Sequence, residues 1–196
     1  MEFGDLASAL AALGEAKVGG PAYVALEVGE RHAQFTLLSE NKGCVCQFFR
    51  AGLLAAKAHT NRLDLLLLFT NAWVVHGRSL LEASIAFPEL APTPGGLAQD
   101  RGETSLHLWS ELARGNQSTM SPVILLIRDE TRLHVFLPVL SMSRLSLVRR
   151  FEEYPHSPSF WVRPAPAGEF QLFAGKDNSL GVGPAEWAVA AMTSRL

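Results

Sequence analysis

"AYVALEVGERHAQFTLLSE", residues 22–40, decides how this chain is read. Two apolar-rich runs flank Gly29-Glu30, and a glycine in so short a connection supplies the positive backbone angle that a tight hairpin requires. The segment therefore predicts two antiparallel strands. Upstream, in "GDLASALAALGE" (4–15), Leu6, Leu10 and Leu13 recur at spacings of four and three, Asp5 stands where it can cap, and Gly14 where a helix stops. That pattern predicts a short amphipathic helix before the hairpin. Downstream, "ENKG" (40–43) reads as a turn and "CVCQFF" (44–49) as a third strand.

Further along, the alanine-rich "RAGLLAAKAHTNRLDLLLLF" (50–69) is expected to contain helix, and "NAWVVHGRSLLEASIAF" (71–87) reads as a second hairpin turning near His76, Gly77 and Arg78. "PELAPTPGGLAQDRGET" (88–104) holds three of the eleven prolines and three of the sixteen glycines without an apolar period, as a linker would. After it come a helix in "SLHLWSELARG" (105–115), a hairpin turning at "DET" in "SPVILLIRDETRLHVFLPVLS" (121–141), and an amphipathic helix in "MSRLSLVRRFEEY" (142–154) on Leu145, Val148 and Phe151. A hairpin in "SFWVRPAPAGEFQLFAG" (159–175) and a closing helix in "GPAEWAVAAMTSRL" (183–196), with Pro184 near its first turn, complete the chain.

The expected fold is α+β: antiparallel β-hairpins packed with short helices, as two αββαββ-type halves at 1–90 and 104–196 joined by a Pro/Gly-rich linker at 91–103. The halves also read as a duplicated module. Superposed without gaps at an offset of 101 residues, Gly14 meets Gly115, Pro21 meets Pro122, Arg31 meets Arg132 and Phe35 meets Phe136.

A chain of 196 residues that is 48% hydrophobic can fill one sizeable core or two small ones. Lys and Arg number 17 against 19 Asp and Glu, a net charge of -2, which gives no electrostatic footing for nucleic acid. Only 18% of residues are charged and the mean hydropathy is +0.14, so part of the apolar surface is expected to be covered by a protein partner, a second copy of the chain included. The N-terminus carries acids before its apolar run, unlike a secretory leader. The densest apolar stretch, 63–75, is broken by Asp64, Thr70 and Asn71 and is too short to span a membrane. Two cysteines without a wider framework fit a reducing compartment, so a cytoplasmic location is expected. The "NQS" sequon at Asn116 is read as chance.

Chemical motifs are sparse. Cys44 and Cys46, two apart on a strand, share a face, which suits neither a relaxed disulfide nor a redox dithiol. Structural zinc would need a second ligand pair, and the nearest histidines, His32 and His59, do not provide one. Buried small core residues are the expected reading. "HGRS" (76–79) reads as a polar turn tip, because the nucleophile elbow G-x-S-x-G is absent. Glu152 and Glu153 beside Arg149 and Arg150 read as a neutralised solvated face. No residue is assigned a catalytic role, and no metal ligand set, phosphate loop or cofactor fingerprint is found.

What remains is surface chemistry. Phe160, Trp161, Arg163, Phe170 and Phe173 sit on a hairpin bounded by prolines, and aromatic and arginine side chains dominate interface hot spots. These five are the expected partner-binding residues. The function expected is therefore a noncatalytic protein-protein interaction module, as a chaperone, an immunity-type protein or a complex subunit would be. The alternative is a small hydrolase or transferase using Cys44 or Cys46 with His32 or His76.

Overall fold

A computed structural model describes residues 3–19, 22–38, 43–115, 119–142, 144–151, 154 and 156–196. The turn expected over 40–43, Pro21 of the superposition, the sequon at Asn116 and the pair Glu152-Glu153 lie wholly or largely outside the described residues. The chain divides into two compact units, Met1–Gly102 and Glu103–Leu196, each with its own antiparallel sheet and its own core.

In the first unit helix α1 (Phe3–Ala11) leads into strands β1 (Ala16–Val18), β2 (Tyr23–Val28), β3 (Arg31–Leu37), β4 (Cys44–Arg50) and β5 (Leu53–Thr60). Helix α2 (Leu63–Thr70) follows and continues through a π-helical turn (Asn71–Val75), then α3 (Leu80–Ile85), β6 (Leu90–Pro92) and α4 (Pro94–Asp100). The sheet order is β1-β2-β3-β4-β5-β6, antiparallel throughout. The quoted hairpin forms as its sequence demands, with Val28 opposite Arg31 and Gly29 at a φ of 59°.

Period-two alternation puts Val24, Leu26, Ala33, Phe35, Cys44, Cys46 and Phe48 on one buried face. Leu6 and Leu10 of α1 and Leu66, Phe69 and Trp73 of the α2 region close over it. Phe48 lies at its centre, edge-on to Phe69 at 4.7 Å and to Trp73 at 6.0 Å. Burial of each such side chain contributes on the order of 2 kcal/mol.

Two expectations fail in this unit and a third holds only in part, because tertiary pairing overrides local composition. The helix expected within 50–69 is present but begins only at Leu63, and the alanine-rich stretch before it is a strand to Thr60. At Ala55 α4 packs directly on β5, and a Cβ on Gly96 would clash with the Ala55 backbone. The hairpin expected over 71–87 is instead a π turn and a helix, although its turn falls where expected, with Gly77 at a φ of 68° and Ser79 capping α3 by accepting from the Glu82 N–H at 3.1 Å. The segment 91–103, expected as a linker, forms β6 and α4. Thr93 caps α4, accepting from the Gly96 N–H at 3.0 Å, with Pro94 at its first position.

In the second unit α5 (Thr104–Gly115) and α6 (Ser121–Asp129) precede a 3-10 turn (Thr131–Val135). Strands β7 (Leu137–Ser141), β8 (Arg144–Val148), β9 (Phe160–Pro164), β10 (Phe170–Ala174) and β11 (Asn178–Gly183) then form a meander in sheet order β11-β10-β9-β8-β7, and α7 (Ala185–Thr193) closes the chain. Leu145, Leu147, Phe160, Val162, Phe170 and Leu172 of the sheet pack with Trp109 of α5, Ile124 and Ile127 of α6, and Ala188 and Met192 of α7. The Trp109 indole N–H donates to the Phe136 carbonyl at 3.1 Å, which satisfies the one polar atom this side chain buries.

The first arm of the hairpin expected over 121–141 is α6, whose Val123, Ile124 and Ile127 form a helical stripe behind Pro122 near its start. The helix expected over 142–154 is strand β8, its spacing of three being coincidental on a strand buried on both faces from Leu145 to Val148. The gap-free superposition of the halves also fails as a structural correspondence. It lays strand residues 23–26 over residues 124–127 of α6, and Phe35 within β3 over Phe136 after a 3-10 turn. What recurs is coarser: in each unit a helix precedes, and another follows, a five-stranded antiparallel meander.

Candidate interaction surface

Strand parity sorts the five expected partner-binding residues. Phe160 and Phe170 point into the core of the second unit, 6% and 4% exposed, and belong to its hydrophobic cluster. Trp161, Arg163 and Phe173 have the other parity or lie opposite it, since the β9–β10 register pairs Trp161 with Phe173 and Arg163 with Gln171. They lie on the outer face of the sheet, where Arg163 is exposed, Trp161 half-buried and Phe173 buried at 8% exposure.

There the chain builds a compact aromatic and cationic cluster. The rings of Trp161 and Phe173 stack with centroids 3.7 Å apart and planes 2° from parallel. The Arg163 guanidinium lies 5.5 Å from the Phe173 centroid and 6.0 Å from that of Trp161, and donates from Nε and Nη2 to the Gln171 amide oxygen at 2.9 and 2.6 Å. Gln171 in turn donates to the Ser179 hydroxyl at 3.3 Å, tying β9, β10 and β11 together across the face. From β8, the Arg144 guanidinium lies 5.3 Å from the Trp161 centroid and 5.5 Å from that of Tyr154. The Trp161 indole N–H donates to the Lys176 carbonyl at 3.0 Å, which fixes the ring plane. Under the cluster, Ser146 of β8 stands opposite Trp161, fully buried, its hydroxyl without a hydrogen-bond partner.

Arg144, Ser146, Tyr154 and Gln171 were not among the residues expected to take part. A strand reading of 144–148 would have found the first two, because Arg144 and Ser146 then share a face at a spacing of two. The helical reading hid that relation.

The cysteines lie where small core residues belong. Cys44 and Cys46 are free thiols, both fully buried, with sulfur atoms 3.7 Å apart. The hydrogen bond that Cys46 donates to the Cys44 sulfur, together with burial, pushes the Cys46 thiol far up, and the same bond pulls Cys44 down against its burial. His32 does not face them. The register pairs it with Phe49, on which it stacks at 4.6 Å, whereas Cys46 pairs with Phe35 on the opposite side of the sheet. Burial lowers the His32 pKa. His76 lines a depression between the π turn and α3 with Asn71, Arg78 and Glu82, and neither cysteine belongs to that lining. The pairing of either cysteine with His32 in the alternative reading is thus not assembled. Among the described residues no group of three His, Cys, Asp or Glu side chains is placed to hold a metal ion, and no helix is long and apolar enough to cross a membrane.

Comparison with protein families, with curated proteins and with solved structures finds no match to this chain.

Proposed function

We propose that this chain is a noncatalytic protein-interaction module, serving as a chaperone, an immunity-type protein or a subunit of a larger complex, and that it holds its partner on the outer face of the second unit's sheet. The supporting observation is the stack of Trp161 on Phe173 with Arg163 beside it, on the side of the sheet away from the core. Trp and Arg contribute most to binding where they are held in one conformation before the partner arrives, because little side-chain entropy is then lost. Here the indole is hydrogen-bonded to Lys176 and the guanidinium to Gln171, so both are already fixed. On this reading the protein works in the cytoplasm, where two free buried thiols stay reduced.

The test is co-purification of the tagged chain from the cells that make it, in parallel with a Trp161→Ala/Arg163→Ala variant whose fold is checked by circular dichroism. A stoichiometric protein partner that the folded variant no longer retains is the expected result. A chain that purifies as a partner-free monomer, or a partner retained equally by the variant, would overturn the reading.

A further inference from the structure

The cluster on the outer face of the second sheet carries an unresolved charge. The β8–β9 register pairs Leu145 with Val162, and one more step along it sets Arg144 opposite Arg163. Like charges facing each other across neighbouring strands repel. Both guanidinium carbons also lie within 6.0 Å of the Trp161 centroid, so the two cations share one indole. Five other arginines are matched to acids, Arg50 to Asp100, Arg62 to Asp64, Arg114 to Glu111, Arg128 to Asp129 and Arg132 to Glu130. Among the described residues Arg144 and Arg163 meet no carboxylate, and Arg163 spends two of its donors on the neutral Gln171 amide.

The rings do not offer themselves as an open stacking platform. Trp161 and Phe173 each spend a face on the other, and the guanidinium groups lie over them. What the patch presents outward is therefore a set of N–H donors in two planar forks, backed by aromatic surface that excludes water. That is the recognition chemistry of a carboxylate, which a guanidinium binds through two parallel hydrogen bonds.

From this geometry we infer that the partner engages the face through an acidic segment, placing Asp or Glu carboxylates against Arg144 and Arg163, whose guanidinium groups are backed by the Trp161 and Phe173 rings. This inference rests on the interaction-module reading and names the chemistry of the partner. A single strand of nucleic acid, which would also bring anions, is disfavoured by the occupied ring faces and by the chain's net charge of -2.

A displayed library of random twelve-residue peptides, selected on the whole chain and counter-selected on an Arg144→Gln/Arg163→Gln variant, tests the inference. Expected is a set of retained peptides enriched in Asp and Glu, binding at least tenfold more weakly to the variant and losing affinity as sodium chloride is raised. Retained peptides that are apolar without acids, and that bind in a salt-independent way, would overturn the acidic partner while leaving the interaction module standing. Failure to retain any peptide above background would count against both. A mixed-sequence oligonucleotide that binds through the same arginines more tightly than the best peptide would replace the inference with nucleic-acid recognition. If the double variant does not fold, Arg163→Lys and the salt series on the unaltered chain carry the same comparison.

Discussion

Cys44 and Cys46 hold their sulfur atoms 3.7 Å apart with neither exposed to solvent, so their chemistry is decided by packing. A thiol reagent reaches such groups only when the sheet opens. Iodoacetamide should therefore leave both cysteines unmodified in the folded chain and alkylate both once it is denatured, as read by intact mass. Rapid labelling of either thiol under native conditions would return Cys44 or Cys46 to consideration as a nucleophile. Arg31 is the residue whose importance is least visible in the sequence. From β3 it donates through one nitrogen to the backbone carbonyls of Trp73 and Arg78 and lies 4.9 Å from the Trp73 centroid, joining the sheet to the π turn. Lys keeps the charge but loses the planar group that lies over Trp73 and the reach of the guanidinium nitrogen to both carbonyls, so Arg31→Lys is expected to lower unfolding stability by about 1–2 kcal/mol. Chemical denaturation of the two proteins measures this, and an unchanged midpoint would mean that Arg31 does not hold the turn.

Among the elements, the quoted hairpin, α1, β4, α5, the β9–β10 hairpin and α7 were legible because local pattern and tertiary environment agree. Leu6 and Leu10 are where the period puts them, and Gly29 turns where it stands. Elements whose composition suited one structure while their neighbours required another were not legible. Alanines at 55, 56 and 58 favour helix in isolation. Here Ala55 lies under α4, while Ala56 and Ala58 face the core opposite Phe48 and Cys46, on a strand paired on both sides. Strand β11 was missed for a related reason: Gly181 and Gly183, poor strand residues, are required because the Trp187 indole lies on them, and a Cβ at Gly183 would fall 2.9 Å from that ring. At the candidate surface, residue type singled out Trp161, Arg163 and Phe173, while strand parity, which needs the register, separated them from Phe160 and Phe170. The close seat of α4 on β5 gives a prediction whose sign runs against helix propensity. Gly96→Ala should gain about 1 kcal/mol of propensity and lose about 2 kcal/mol or more to the clash with the Ala55 backbone. A net loss in thermal unfolding is expected, and a stabilised variant would show that α4 sits further from the sheet than described.

For the molecule as a whole, two sheets and two separate hydrophobic clusters make each unit a candidate for independent folding. Residues 1–102 and 103–196, expressed separately, should each give cooperative denaturation and a near-ultraviolet signal from their own buried tryptophans, Trp73 in the first and Trp109 in the second. Fragments that remain unfolded apart and gain structure only when mixed would contradict this division.

The four tryptophans also give the most direct test of where a partner docks. With the indole nitrogens labelled, a two-dimensional nuclear magnetic resonance spectrum resolves Trp73, Trp109, Trp161 and Trp187 individually, and the spectrum is recorded with and without the protein recovered by co-purification. The Trp161 indole resonance should shift on binding, while those of the buried Trp73 and Trp109 hold their positions. A Trp161 resonance that stays fixed while the partner is bound would place the interaction elsewhere on the chain and contradict the account.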